Sequence, residues 1–235
     1  PTILFIHGGG WQSGDKSVYN EGRAKKWAVA GFNVVTINYR FPKPNEPASE
    51  WPAQLEDAQL AVRWLRANAA IFNIDPTKIV VGGDSAGGHI ALFLGSLTDT
   101  ISGSRSSMFP EFSPKVSAVL NMCGPSDLTD PEMAKLIASL DLFGKKSYQE
   151  VPERYKDASP IYKINSESSP TCIVHGTQDE VVPYAQSVTL SHTLTYFGVY
   201  NKLITYTGGH EMNGVSSFKI SIIELQEIWF MSVSY

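Results

Sequence analysis

The strongest constraint on the fold is a regular alternation of short apolar runs with longer segments of helical period. Strands that are apolar at nearly every position are typical of parallel sheets with both faces covered. Such runs predict strands at 2–6, 33–38, 78–82, 116–122, 171–175 and 202–206. Amphipathic segments predict helices at 52–68, 85–97, 183–197 and 215–231. The alternation therefore predicts an α/β fold with a doubly wound, mostly parallel sheet and helices on both faces.

The chain length favours one domain over 1–235, since 235 residues suit a single α/β core. No repeat, low-complexity tract or linker interrupts the pattern. One long connection, 124–170, carries candidate helices near 131–140 and 152–157. Because this connection follows a strand on the side of the sheet where ligands bind, we expect it to form a small cap. We also expect Pro183 at the first position of its helix.

Charge and hydropathy exclude several classes of partner. The net charge of −4, with Lys and Arg scattered along the chain, argues against nucleic-acid binding. No apolar run reaches the roughly 18 residues of a membrane span. No signal peptide is visible, but the chain opens at Pro1 directly in a strand. The sequence therefore assigns no cellular compartment to the protein. Cys123 and Cys172 lack the spacing of metal ligands and are expected to be buried thiols, with a disulfide as the first alternative and a metal or catalytic role as the second.

A sharp strand-to-helix turn carries the best candidate nucleophile. The sequence GDSAG at 83–87 matches the G-x-S-x-G pattern between a predicted strand and a predicted helix. Small neighbours allow the turn to expose Ser85. A phosphate-binding loop is the alternative, but Gly88 and His89 stand where that motif needs Lys and Ser or Thr. We therefore interpret Ser85 as a nucleophile.

A glycine run after the first strand predicts donors for an oxyanion. The run HGGG at 7–10 lets backbone approach a ligand closely. Gly9 and Gly10 are the expected N–H donors, and Ala86, directly after the nucleophile, is the third. If the first and third strands are neighbours, the two glycine-rich loops face each other. His7 is expected to brace this loop.

The general base is predicted from its position in a loop. The chain has five histidines: His7, His89, His175, His192 and His210. His89 lies inside the helix behind the serine, and His175 and His192 fall at a strand end and in a helix. His210 alone follows the last strand in a glycine loop, from which its ring can reach the nucleophile. We therefore predict His210 as the base.

A site with a serine nucleophile and a histidine base also needs a carboxylate that orients the histidine. This residue should follow an earlier strand and precede the histidine in the chain. Asp179 does so, in the loop after the fifth predicted strand. Asp127, after the fourth strand, is the alternative. We favour Asp179 as the residue that orients His210.

Four motifs in order resemble those of a known group of enzymes. They are HGGGW with GD at 7–15, NYR at 38–40, GDSAGGH at 83–89 and the stretch 175–183. The chain resembles the α/β-hydrolase carboxylesterases related to hormone-sensitive lipase, and more closely the group with bacterial acetyl-xylan and feruloyl esterases. The resemblance implies a catalytic Ser85–His210–Asp179 set, an oxyanion hole from Gly9, Gly10 and Ala86, a bracing Asp84, and Trp11 in the substrate pocket.

Two further expectations come from this resemblance. Members of the group carry additional strands before the HGGG strand, and without them 33–38 would be an edge strand. The predicted activity is hydrolysis of short-chain acyl esters, including acetyl or feruloyl esters of plant polysaccharide, through an acyl-enzyme and without metal or organic cofactor. The predicted partner is a small-molecule or carbohydrate ester, and a homo-oligomer is compatible with the sequence. Alternatives are an aryl-formamide hydrolase or peptidase with the same triad, and an inactive ligand-binding module.

Overall fold

A computed structural model describes residues 1–19, 22–97 and 108–211. In these residues, six parallel strands form one sheet in the order β2-β1-β3-β4-β5-β6. The strands are β1 (Thr2–Ile6), β2 (Asn33–Ile37), β3 (Ile79–Asp84), β4 (Ala118–Met122), β5 (Thr171–Gly176) and β6 (Asn201–Tyr206). The predicted parallel α/β sheet is confirmed, with strand ends shifted by one or two residues.

Helices cover both faces of the sheet. They are α1 (Arg23–Val29), α2 (Ala53–Ala67), α3 (Ala86–Ser96), α4 (Pro131–Ala138), α5 (Pro152–Asp157) and α6 (Ala185–Tyr196). The sequence pattern did not predict α1, and the predicted helix 215–231 lies outside the described residues. The expectation for Pro183 is wrong: α6 begins at Ala185. Pro183 instead belongs to the preceding turn, where its carbonyl accepts the N–H of Gln186 at 2.9 Å.

The apolar core has two layers because successive strand residues point to opposite faces. Along β1, Leu4 and Ile6 join the cluster that includes the buried faces of α2 and α3. Ile3 and Phe5 join the opposite cluster, together with Trp27 of α1. Since both faces of β1 are buried, the continuous apolar runs in the sequence have a direct structural cause.

The strand order reverses between β1 and β3. From β1 the chain moves outward to β2, and from β3 it proceeds in the opposite direction through β4, β5 and β6. Ligands bind to doubly wound sheets in the crevice at the carboxyl ends of the strands on either side of such a reversal. The glycine run after β1 and the turn after β3 are therefore neighbours, as predicted. β2 lies at one edge of the described sheet.

The connection 124–170, which was predicted to form a small cap, folds into a layer of short helices. It contains α4, α5 and two short 3₁₀ helices at Asp141–Phe143 and Pro160–Tyr162. An ion pair of 2.8 Å between Arg154 and Glu50 ties this layer to the body of the domain. The backbone N–H of Trp51 donates to the carbonyl of Leu142 at 3.1 Å beside it. This layer forms part of the wall of the site described below.

Within the described ranges, no helix combines the length and the apolar character needed to cross a bilayer.

Candidate active site

Ser85 occupies a strained turn between β3 and α3. Its backbone has φ 52° and ψ −122°, a combination that non-glycine residues rarely adopt. A Cβ atom on Gly87 would overlap the carbonyl oxygen of Ile6, and one on Gly83 would overlap the backbone of Gly87. Both flanking glycines are thus required sterically, as the motif predicted. The N–H of Ser85 donates to the carbonyl of Met122 at 2.9 Å, which anchors the turn to β4.

The structure brings Ser85, His210 and Asp179 together at the carboxyl ends of β3, β6 and β5. His210 Nε2 lies 2.9 Å from Ser85 Oγ, and His210 Nδ1 lies 2.8 Å from Asp179 Oδ2. A carboxylate only accepts hydrogen bonds, so Nδ1 carries the hydrogen. Nε2 of a neutral imidazole is then an acceptor for the serine hydroxyl. This arrangement can transfer the serine proton to His210.

Asp127, the alternative acid, has a different role. Its Oδ1 accepts from the backbone N–H of Thr129 at 2.8 Å and from the Thr129 hydroxyl at 2.6 Å. These bonds close the turn that leads to α4. Within the described residues, Asp127 makes no hydrogen bond to His210, so the carboxylate paired with the histidine is Asp179.

The Asp179 carboxylate is fully buried and accepts four hydrogen bonds. Oδ2 accepts from His210 and also from His175, whose Nε2 lies 3.1 Å away. Oδ1 accepts from the backbone N–H groups of Val181 and Val182 at 2.9 and 2.8 Å. Burial by itself would raise the pKa of Asp179, but these four donors outweigh it and hold the pKa below its ordinary value. Asp179 is therefore ionised at neutral pH.

His175 was not predicted to contribute to the site. It is completely buried in β5, and its Nε2 also faces the carbonyl of Val182 at 3.0 Å. Both oxygens near Nε2 are acceptors, so Nε2 carries the hydrogen. Nδ1 then accepts from the Ser187 hydroxyl at 2.6 Å. The only sequence signal for this contact is a histidine four residues before the aspartate at the end of a strand.

The glycine run after β1 adopts conformations that favour glycine. Gly9 and Gly10 have φ 102° and 60°. A Cβ on Gly9 would overlap the backbone of Ser13. Both glycines line the same cavity as Ser85 and His210, of about 380 Å³. Ala86 is the first residue of α3, where N–H groups have no partner within the helix.

Two tyrosines brace the loops around Ser85. The Tyr39 hydroxyl donates to the carbonyls of His7 and Gly8 at 3.1 and 3.2 Å, and its ring stacks on His7. Burial, together with the charge of Asp84, raises the pKa of Tyr39, so its hydroxyl remains a donor. The Tyr19 hydroxyl donates to Asp84. His7 and Asp84 are therefore both bonded within the loop framework, in the positions expected of bracing residues.

Trp11 lines the cavity but is almost entirely buried, with 2% of its surface exposed. Its indole Nε1 donates to His89 Nδ1 at 3.2 Å. His89 Nε2 in turn lies 2.7 Å from the carbonyl of Ala158. Burial lowers the pKa of His89 to about 4, so the ring is neutral at neutral pH. His89 thus links the glycine run to the helical layer of 124–170 and does not contact Ser85 Oγ.

The rest of the cavity wall is mostly apolar. Met133, Leu136 and Leu140 come from α4 and the residues just after it, and Val181 and Val182 come from the loop that carries Asp179. Such a wall suits a small apolar group placed beside Ser85.

The parallel sheet carries a serine on a sharp turn after β3, an aspartate after β5 and a histidine after β6. This order is characteristic of the α/β-hydrolase fold. The BD-FAE family model matches residues 1–194, and the chain belongs to this family.

Several proteins of known name or structure are similar to this chain. Esterase LipC of Mycobacterium tuberculosis is 30% identical over 191 residues, which cover 80% of this chain and 46% of LipC. Esterase LipQ of the same organism is 31% identical, with 83% of this chain and 45% of LipQ covered. The chain thus spans about half the length of these curated relatives.

Solved structures show the same fold. A truncated carbohydrate esterase from gut microbiota superimposes with a TM-score of 0.85 and 31% identity, covering 97% of this chain and 86% of that one. An acetyl ester-xyloside bifunctional hydrolase from Caldicellulosiruptor lactoaceticus has a TM-score of 0.79 at 23% identity, covering 98% and 84% of the two chains. The second likeness bears on the fold alone.

Proposed function

We propose that this chain is a serine carboxylesterase that hydrolyses short-chain acyl esters, with Ser85, His210 and Asp179 as its catalytic triad. The observation that carries the proposal is the pair of bonds through His210: 2.9 Å to Ser85 Oγ and 2.8 Å to Asp179 Oδ2. The named esterases among its relatives support the same class of reaction.

In the first step, Ser85 Oγ attacks the ester carbonyl carbon while its proton passes to His210 Nε2. Asp179 stabilises the imidazolium that forms. The oxyanion is stabilised by N–H groups of Gly9, Gly10 and Ala86. His210 then gives its proton to the alcohol oxygen, the bond from carbon to that oxygen breaks, and an acyl group remains on Ser85.

In the second step, water replaces the alcohol. His210 Nε2 takes a proton from water as its oxygen attacks the acyl carbon. The proton is then returned to Ser85 Oγ as the bond to the acyl group breaks, and the carboxylic acid leaves. Neither step requires a metal ion or an organic cofactor.

The proposed substrates are acetyl and other short acyl esters, including acetyl esters of plant polysaccharide, and the larger feruloyl esters of plant polysaccharide are the second candidate. A cavity of about 380 Å³ with an apolar wall supports a small acyl group. A carbohydrate esterase among the similar structures, at 31% identity, supports a sugar as the alcohol component. An aryl-formamide hydrolase or peptidase would use the same triad on an amide, and no contact among the described residues favours that alternative.

The proposal is tested by replacing the nucleophile. Ser85→Ala should lower kcat for p-nitrophenyl acetate by about 10⁴–10⁶-fold, as expected when a triad acts as a unit. Ser117→Ala is the matched control, because Ser117 lies just before the amino end of β4 and its hydroxyl donates to the carbonyl of Ile79 at 2.9 Å, away from the carboxyl ends of the strands. Retention of more than about a tenth of the activity in Ser85→Ala would exclude Ser85 as the nucleophile.

A fluorophosphonate probe separates an esterase from an inactive binding module. The wild-type protein should be labelled at Ser85, and Ser85→Ala should not be labelled. Rates on acetylated xylan, methyl ferulate and N-formylkynurenine then decide the substrate class. If the rate on N-formylkynurenine exceeds the rates on all the esters, the protein is a formamidase and the proposed esterase activity is wrong.

A further inference from the structure

A buried thiol lies beside the proposed triad and takes no part in the reaction derived above. Cys123 directly follows β4, with φ 45°, and its backbone N–H donates to the carbonyl of Val174 at 2.8 Å. Its Sγ lies 3.7 Å from the backbone carbonyl of His210. The thiol therefore faces the segment that carries the proposed base.

The thiol completes a set of three ligand types. Sγ of Cys123, a carboxylate oxygen of Asp179 and a ring nitrogen of His210 all lie within 4.8 Å of one another. Thiolate, imidazole and carboxylate are the ligands that zinc takes in proteins, at about 2.0–2.3 Å. Neighbouring ligands of such a cation are about 3.3–3.8 Å apart, so side-chain movements of about 1 Å would bring these atoms to bonding distance.

We propose that Cys123, His210 and Asp179 form an inhibitory binding site for a thiophilic divalent cation such as Zn²⁺ or Cd²⁺. Two anionic ligands and one neutral ligand match the charge of the cation. His210 is 21% exposed at its side chain and lines the cavity, whereas the Asp179 side chain is fully buried. Mg²⁺, which prefers oxygen ligands and keeps its water, should not bind here.

Binding would block the reaction through the imidazole. The cation takes the lone pair of the Cys123 sulfur, and the thiol proton is released to solvent. At His210 the cation replaces the hydrogen on Nδ1, which moves through solvent to Nε2. An Nε2 that carries a hydrogen cannot accept the proton of Ser85, so the general base is lost. Inhibition as a readout rests on the proposed function, whereas binding does not.

The activity test compares two cysteines. Wild-type protein, Cys123→Ala and Cys172→Ala are titrated with CdCl₂ and ZnCl₂, each rate being expressed relative to the same protein without metal. Cys172 is the matched control because it is also a buried thiol and lies near the amino end of β5, the end opposite to the one that leads to Asp179. The half-inhibitory concentration should rise at least about tenfold in Cys123→Ala and stay unchanged in Cys172→Ala. EDTA should restore activity, and MgCl₂ should have no effect.

The binding test does not depend on activity. Cd²⁺ bound to a thiolate gives a charge-transfer band in the ultraviolet. Ser85→Ala should show this band at one equivalent of CdCl₂, and Ser85→Ala/Cys123→Ala should not. Cys123→Ser is a second variant for both tests if Cys123→Ala fails to fold, as judged by circular dichroism.

The outcomes are separable. Equal inhibition of wild type and Cys123→Ala, or a band that persists without Cys123, would overturn the metal site. A Cys123-dependent band in a protein without esterase activity would sustain the metal site and refute the proposed function.

Discussion

His175 Nε2 donates a hydrogen bond of 3.1 Å to Asp179 Oδ2, the same carboxylate oxygen that accepts from His210. Asp179 thus lies between one fully buried histidine and one that faces the cavity. Its other oxygen is held by two backbone N–H groups. A carboxylate held by four donors has its orientation fixed before substrate arrives, which is the condition for orienting His210 without reorganisation.

His175 is therefore predicted to be a positioning residue. His175→Leu should lower kcat for p-nitrophenyl acetate by about 10–100-fold, the usual effect of removing a group that orients a catalytic side chain. KM should change much less, because His175 does not line the cavity. Steady-state kinetics with purified protein measures both constants.

Two variants distinguish positioning from simple stability. His175→Gln retains an amide N–H that can donate to Asp179 and should recover part of the lost kcat. Ser187→Ala removes the hydrogen-bond partner of His175 Nδ1, at 2.6 Å, and leaves the bond from Nε2 to Asp179 in place, so it should keep most of kcat. If the Leu and Gln variants lose kcat equally, the hydrogen bond to Asp179 is not the cause.

His89 predicts a pH dependence of stability. Its pKa is about 4 in the folded protein, against an ordinary value of 6.5, so between these values the unfolded chain binds a proton that the folded protein excludes. Protonation would also place a hydrogen on His89 Nδ1, where it would face the indole N–H of Trp11 and the hydrogen bond between them would be lost. The neutral His89 ring therefore contributes about 3 kcal/mol to the free energy of unfolding above about pH 6.5. This contribution is lost as the pH falls from about 6.5 to about 4.

Urea unfolding at several pH values between about 4 and 7 measures this dependence. His89→Gln has no titrating ring, so its free energy of unfolding should fall less steeply with acidification than that of the wild type. The gap in stability between the two proteins should therefore narrow towards pH 4. A gap that stays constant over this range would show that His89 titrates alike in both states.

Leu140 is predicted to limit the length of the acyl group. It lines the cavity together with Ser85 and lies 3.8 Å from the position that a Cβ on Gly10 would take. Leu140→Trp should lower kcat/KM for p-nitrophenyl hexanoate by about tenfold or more. For p-nitrophenyl acetate, kcat/KM should stay within about threefold of the wild-type value. The difference is expected because each methylene bound in a pocket contributes about 1–3 kcal/mol.

Leu60→Trp is the matched control for Leu140→Trp, because Leu60 lines a different cavity beside β2. The control should reduce the rates on acetate and hexanoate esters equally, if at all. A Leu140→Trp variant that treats both esters as the wild type does would place the acyl group elsewhere.

The sequence predicted those parts of the site that depend on local chain geometry. Ser85 could be found because its turn requires small residues at fixed neighbouring positions, and Asp179 and His210 because they follow successive strands. His175 was missed because its bond to Asp179 forms only when the loop after β5 folds back. The contact between Trp11 and His89 joins residues 78 apart, and no local pattern reveals it.

The helical layer of 124–170 supplies Met133, Leu136 and Leu140 to the cavity, whereas Ser85, Asp179 and His210 come from loops outside it. In the proposed enzyme, the reactive side chains thus lie outside 124–170, whereas part of the apolar wall beside them lies within it. Exchange of 124–170 between homologous esterases should therefore change the preference for the acyl group and leave the proposed triad in place. For directed evolution, this makes 124–170 the stretch in which to concentrate random mutations.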